Sequence, residues 1–534
     1  MKKQLLSLAV LLMGSSLIFS QSNTSDVNSL GVDNAATVLQ IGLENDSDID
    51  QDGAMNALGG VENWANVYQF GAENKAVIDQ RGDRNWAITV QIGEGNDSYQ
   101  TQGVGWAEDN FQFALQDGEN NTSYQLQRWD NNTGIVHQFG DNNNANQDQR
   151  TGVNGANGNF GFILQDGSWN DAFQVQYGQE NKAYAYQNGY GNYSMQDQYG
   201  NDNYSVTSQD GQLNHSEAYQ TGDGNYQETD QHGNGNYAYT DQLGDDNDSF
   251  TNQRGRENES YTYQDGDKNE STTKQRGREN KSWTYQDGYR NDSYTDQKGR
   301  SNMSGTYQNG MMNDADTKQR GHENKSLTYQ DGMFNDSYTE QHGNGNMSGT
   351  FQDGFANDSK TFQNGNGNMS GTAQIGSFNN SYTEQKGNGN MSLTGQAGAF
   401  NDSDTYQEGH GNMSGTVQLG LGNGSETLQY GNGNMSATLQ SGAFNDSYTE
   451  QHGNGNMSGT VQLGLGNDSE TYQNGFGNMS GTLQIGWGNT ASTTQDGTGN
   501  FSLTGQFGDN HNSIVNQVGT SNVSLVGQFN GLPN

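Results

Sequence analysis

From Gln165 to Gln528 a glutamine stands at every eleventh residue without a miss. Glycine follows two residues after almost every one, and asparagine three residues after that. The unit reads Gln-x-Gly-x-x-Asn-x-Ser-x-Thr-x before the next Gln. A period kept this strictly points to stacked, near-identical units, each packed only on its neighbours. It also argues against a catalytic centre, which needs unlike residues gathered in one place.

Only 28% of the residues are hydrophobic, against about 45–50% apolar residues in ordinary globular domains. Composition alone would suggest disorder, but a disordered chain has no use for a fixed register. A core of paired amides and close packing is the remaining way to hold such a chain together. There is no cysteine, so disulfides, thiolate metal sites and cysteine nucleophiles are excluded. A formal charge of −39 disfavours nucleic acid and anionic membranes as partners. Residues 1–20 place Lys2 and Lys3 ahead of an apolar run from Leu5 to Met13, with small residues before Gln21. They read as a secretory signal peptide, too short to span a membrane, so an exported, soluble mature protein is expected.

Gly and Asn are poor helix formers, and Ser and Thr little better. The stretch Asn335-Asp336-Ser337-Tyr338-Thr339-Glu340-Gln341 alternates constant with variable residues, which is a strand signal. His342-Gly343-Asn344-Gly345 reads as the turn. Met347, Met369, Met391, Met413, Met435, Met457 and Met479 recur every 22 residues, so two units make one winding. The expected fold is all-β: a β-solenoid of 22-residue windings, each two 11-residue strand–turn units, with two facing parallel sheets in an amyloid-like stack. Constant positions should point inward, where each meets its like above and below. Gln330, Asn335, Ser337, Gln341, Asn346, Ser348 and Gln352 are therefore the expected ladder, with Gly332 and Gly343 in turns. The single proline, Pro533, stands next to last, as a chain whose N–H groups all enter ladders requires.

Gln330, Gly332, Asn335, Ser337 and Gln341 show a motif that resembles the curlin repeat, Gln-x-Gly-x-x-Asn-x-Ala-x3-Gln. The resemblance extends over about residues 34 to 531. It implies a subunit of curli, the extracellular functional amyloid of bacterial biofilms. It further implies secretion through an outer-membrane pore, polymerisation at the cell surface, and a nucleator as partner. The chain departs from the family in having several times the usual number of repeats. It also places Thr and Ser at inward positions where the family has more Leu, Ile and Ala. The expected division is a signal peptide over 1–20, an N-terminal leader over 21–33, irregular repeats over 34–164 and a regular solenoid over 165–534.

The first third departs from the period through enlarged turns after Gln51, Gln102 and Gln149, and the unit of Gln127 lacks its glycine. All four are even-numbered units counted from Gln40, so all fall on one edge. Trp64, Trp106 and Trp129 lie in this region and mark a candidate edge for a secretion or nucleation partner. On the other edge Arg254, Arg276, Lys298 and Arg320 recur every 22 residues, as do Arg256, Arg278, Arg300 and His322, with Glu257, Glu279 and Glu323 between them. This basic turn ladder suggests either solvated charge pairing or contact with a matrix polysaccharide. Asp292, Asp314, Asp336, Asp358, Asp402, Asp446 and Asp468 form an outer ladder, read as keeping that face soluble rather than as a Ca2+ site. The opposite face carries Met and Gly with Val417, Val461 and Leu483, and is the better surface for lateral contact or adhesion. No catalytic, metal or cofactor site is expected. The expected function is a secreted structural subunit that polymerises end to end into biofilm fibres. The alternative is a monomeric solenoid adhesin or a binder of ice or polysaccharide.

Overall fold

A computed structural model of the chain describes residues 22–52, 60–152 and 156–530. The segment read as a signal peptide and Pro533 lie outside the described residues. Every regular element within them is a β-strand, and no helix is long and apolar enough to cross a membrane. The chain divides into two compact units, one through Gly224 and one from Asn225. Each is a β-solenoid whose consecutive strands alternate between two parallel sheets.

In the first unit Thr24–Val32, Asp46–Asp52, Lys75–Asp83 and Asp97–Glu108 follow one another in one sheet. Ala35–Leu43, Trp64–Ala72 and Trp86–Glu94 do so in the other. In the second unit Lys325–Met333 pairs with Met347–Phe355, and Asp336–Asn344 with Asp358–Asn366. Residue 330 meets residue 352, and 341 meets 363, so one winding is 22 residues. The Met column is likewise in register, Met347 on Met369 on Met391.

The alternation assigns faces as the pattern implies. Along Asp336–Asn344, Ser337, Thr339 and Gln341 are buried while Asp336, Tyr338 and Glu340 face outward. The first unit fills some inward positions with aliphatic side chains, including Ile49, Val67 and Ile78 in one cluster and Val136 and Ile163 in another. In the second unit Thr and Ser occupy most of those places. Thr339 Oγ1 lies 3.5 Å from Ser348 Oγ on the facing strand, so small side chains let the sheets approach closely. These hydroxyl contacts are long, and further along Ser447, Thr449, Ser458 and Thr460 have none. The seam is held by packing, and the specificity comes from the amides.

Two expectations need correction. The strand does not stop before His342 but runs to Asn344, with Gly343 inside it. The turn itself is only Gly345 and Asn346. Gly343 has φ +109 and turns the strand through a corner while staying in the ladder, opposite Gly365. Second, the segment read as a leader holds the strand Thr24–Val32, paired with Asp46–Asp52. Ser29 stands opposite Gln51, so the glutamine count could not reach this winding. The compact units divide between Gly224 and Asn225; the change from irregular to regular spacing falls at 164 and 165.

The enlarged turns leave the Gln ladder intact, although after Gln102 the backbone pairing shifts, with Gln80 opposite Gln102 but Gly82 opposite Ala107. Gln40 Nε2 reaches Gln69 Oε1 at 2.8 Å over 29 residues, and Gln138 reaches Gln165 at 2.9 Å over 27. A standard step such as Gln319 to Gln341 gives 2.9 Å over 22.

Candidate functional site

The Gln and Asn columns form two amide ladders. Gln330 Nε2 donates to Gln352 Oε1 at 2.9 Å, to the backbone oxygen of Asp314 in the facing sheet at 2.7 Å, and to that of Asn335 at 3.0 Å. Each such Gln ties one winding to the next and one sheet to the other. The Asn ladder donates the opposite way. Asn335 N and Nδ2 both donate to Asn313 Oδ1 in the preceding winding, at 3.1 and 3.2 Å. Asn335 Nδ2 also lies 3.0 Å from the oxygen of Asp331. Buried amides satisfied on several sides cost little to bury and polarise one another along the stack.

Of the expected ladder residues, Gln330, Gln341 and Gln352 share one chemistry, and so do Asn335 and Asn346. Ser337 and Ser348 face the seam. Gly332 and Gly343 line the corners, where a Cβ would lie 2.0 and 1.9 Å from the next glycine oxygen.

Among the described residues, the N-terminal end of the first unit and the C-terminal end of the second are open. Thr24–Val32 and Ala35–Leu43 each pair on one side only, with Asp46–Asp52 and Trp64–Ala72, apart from a short contact of Val32 with Val61. Asn512–Thr520 and Val523–Phe529 also pair on one side only. Gln528 Nε2 donates to Asn512 O but has no following Gln among the described residues. Gln40 donates to Gln69, and among the described residues no Gln precedes it to donate to its Oε1.

The two edges differ chemically. At the odd edge Arg254, Arg276, Lys298 and Arg320 stack in register, as do Arg256, Arg278, Arg300 and His322. Lys298 pairs with Asp296 at 2.7 Å, and Arg300 with Glu279 at 3.4 Å. The even edge of the second unit begins charged, with Asp245, Asp246, Asp267, Lys268 and Arg290, and is mostly apolar from Met311 to Trp487. Phe334, Phe355, Phe378 and Phe400 contact in sequence, with ring centroids 5.5, 5.3 and 5.0 Å apart, and Phe444 and Trp487 lie exposed further along. Phe334, Phe378, Phe400 and Phe444 all hold positive φ, in the place that Gly345 fills on the other edge. Sequence reasoning missed this edge. Its signal is the pair of residues between glycine and asparagine in alternate units, such as Ser377-Phe378 and Ala399-Phe400.

Trp64 is 51% exposed and packs edge-on against Trp86 at 6.0 Å, and Trp86 against Phe111 at 5.8 Å. Trp129 is not part of that ring row. It occupies the missing-glycine corner at φ +69, and its oxygen accepts from Asn110 Nδ2 as a glycine oxygen does elsewhere. The side chain of Trp106 lies outside the described residues.

The two outer faces differ as well. Asp292, Asp314, Asp336 and Asp358 stack along one. Neighbouring windings partly withdraw Asp292 and Asp336 from water, and adjacent carboxylates repel them, so the pKa of each is pushed up to about 6. Among the described residues no group of three His, Asp or Glu is gathered for a metal ion. The other face carries an apolar trough of about 1490 Å³. Tyr263, Tyr285, Tyr307, Tyr329 and Phe351 stack at 4.7–5.1 Å along it, and Gly349, Gly415 and Gly459 form its floor. Thr339 and Thr350 are buried, so these threonines present no outward array to ice.

Fold and ladders together define a parallel β-solenoid with a polar-ladder core. Within that class, residues 486–519 match the family model described as the Curlin associated repeat. The matched stretch contains the strands Thr490–Thr498 and Phe501–Asp509 and most of Asn512–Thr520. The chain thus carries a curlin repeat, consistent with membership of the curlin-repeat family. No curated protein matches it.

Proposed function

We propose that the chain is a secreted, non-enzymatic structural subunit that polymerises end to end into curli-like extracellular fibres for biofilm matrix and surface adhesion. The observation that carries this reading is the complementarity of the open ends. In both units the ladder Gln amides donate toward the C-terminal side. The last Gln thus offers a donor and the first an acceptor, so a second copy continues the Gln ladder in one sheet, while Ser29 stands at the Gln position of the other. Such a head-to-tail contact, repeated without closing into a ring, builds a filament. Exposed edge strands supply main-chain pairing as well. An outer-membrane pore would deliver the chain, and a nucleator would present the first edge.

The test is to incubate the purified mature protein and examine it by electron microscopy and fibre diffraction. Fibres with a meridional reflection near the strand spacing of about 4.8 Å are expected. Discrete monomers that never lengthen into fibres would overturn the proposal in favour of a monomeric adhesin.

A further inference from the structure

We propose that the basic odd edge of the second unit binds a linear acidic polysaccharide carrying one carboxylate or sulfate on each successive sugar ring. The strands Asp248–Arg256, Glu270–Arg278, Asp292–Arg300 and Asp314–His322 present two parallel columns of basic side chains flanking the corner glycines. Among the described residues, Arg254, Arg256, Arg276, Arg278 and Arg320 have no carboxylate within ion-pair distance, unlike Lys298 and Arg300. Except for Lys298, these basic residues of the two columns are exposed.

This arrangement works against the fold. Like charges stacked on adjacent strands destabilise a sheet. The same column holds a self-satisfying alternative a few windings on, where Asn366 Nδ2 donates to Asn388 Oδ1 and Asn432 to Asn454, both at 3.1 Å. The four basic windings give up that amide ladder for stacked basic groups that repel one another, and of the interleaved Glu257, Glu279 and Glu323 only Glu279 pairs with one of them, Arg300, among the described residues. A polyanion laid along the columns would turn the repulsion into attraction.

The geometry selects the class of polyanion. Basic pairs repeat at the strand spacing of about 4.8 Å, close to the length of one sugar ring, so successive charges on an acidic glycan fall in step with successive windings. Guanidinium forks also match carboxylate and sulfate oxygens two at a time. A single-stranded nucleic acid would want open aromatic faces for its bases. The ring of Tyr294, on this face, already lies under Lys274 at 5.1 Å and Lys318 at 5.7 Å. The chain's overall charge of −39 does not forbid such binding, because at physiological salt charges beyond about 8 Å are largely screened.

The site does not depend on polymerisation and can be tested apart from it. The full chain is immobilised and titrated with polygalacturonate, with its methyl-esterified form and duplex DNA as comparisons. Polygalacturonate alone should bind, and binding should weaken steeply with salt. The combined variant Arg254→Gln, Arg256→Gln, Arg276→Gln and Arg278→Gln should lose affinity by about tenfold or more. A charge-removing control on the same sheet, Lys360→Gln with Lys386→Gln, should change it by less than about twofold. Unchanged circular dichroism of the Arg variant shows that the loss is not unfolding. Absence of polygalacturonate binding, equal loss in the control, or equal affinity for the esterified polymer or DNA would each overturn the proposal.

Discussion

A Cβ built on Gly321 would lie 1.9 Å from the carbonyl oxygen of Gly343, one winding away. At Gly321 and Gly343 the corner therefore admits only glycine, for two separate reasons. The backbone there has φ +123 at Gly321 and +109 at Gly343, and the neighbouring carbonyl occupies the space of a side chain.

Gly343→Ala should accordingly open the stack locally. Strain at such a φ costs on the order of 1–3 kcal/mol, and the steric contact adds to it. Each winding touches only its neighbours, so the damage should stay near the site. Hydrogen exchange should show lost protection in the windings around 321, 343 and 365 and little change beyond. Gly349→Ala is the control: nothing lies within 4 Å of its Cβ, and it should be neutral or stabilising.

Gln341→Leu should be more damaging than its apolar character suggests. Gln319 Nε2 loses its acceptor, and Lys325 O and Gln363 lose their donor. Each buried group left unpaired costs about 1–3 kcal/mol. Gln341→Glu should be worse at neutral pH and recover partly in acid, as the carboxyl becomes protonated. Denaturant midpoints at two pH values would check both.

Val523→Pro should separate folding from assembly. In preceding windings the equivalent residues donate their N–H onward, Met479 to Asn500 O at 2.8 Å and Phe501 to Asn522 O at 2.7 Å. Val523 has no following strand among the described residues. Proline at the first residue of an edge strand is tolerated, so the soluble protein should keep its circular dichroism while fibre growth slows. Growth at the wild-type rate, followed by light scattering, would count against end-to-end addition.

Stability should rise as pH falls from 7 toward about 5. Asp292, Asp336 and Asp404 are raised from the ordinary 3.8 to about 6. A raised carboxyl contributes stability that is fully present below its unfolded value and lost as pH rises through the folded one. Glu340 acts the other way. Although partly withdrawn from water, it is held below its usual range by hydrogen bonds from His342 and Tyr338, and its contribution fades in stronger acid. Urea midpoints across pH 4–7 should pass through a maximum, and Asp336→Asn should be more stable than the parent at pH 7 and respond less to pH.

Much of this architecture was legible because the ladder demands identity. Gln330 must meet Gln352, so the winding length and the inward face can be read directly from the spacing. What escaped has its own physical reasons. Gly343 reads as a turn, yet a corner glycine can keep both ladder bonds and carry the strand onward. Thr24–Val32 was hidden because backbone pairing needs no glutamine and Ser29 suffices at the end of the stack. The edge of Phe334, Phe378 and Phe400 stayed unseen because corner residues face solvent and need only resemble one another, so strict periodicity does not mark them.

The unbroken amide bonds from Gln40 to Gln69 and from Gln138 to Gln165 carry a further consequence. Register is measured from strand to strand across space, not along the chain, so the even edge is indifferent to how much polypeptide it carries. Peptides spliced in after Gln102 or Gln149 would hang from the solenoid of the first unit as side arms, and a filament of the proposed kind would display them in a row.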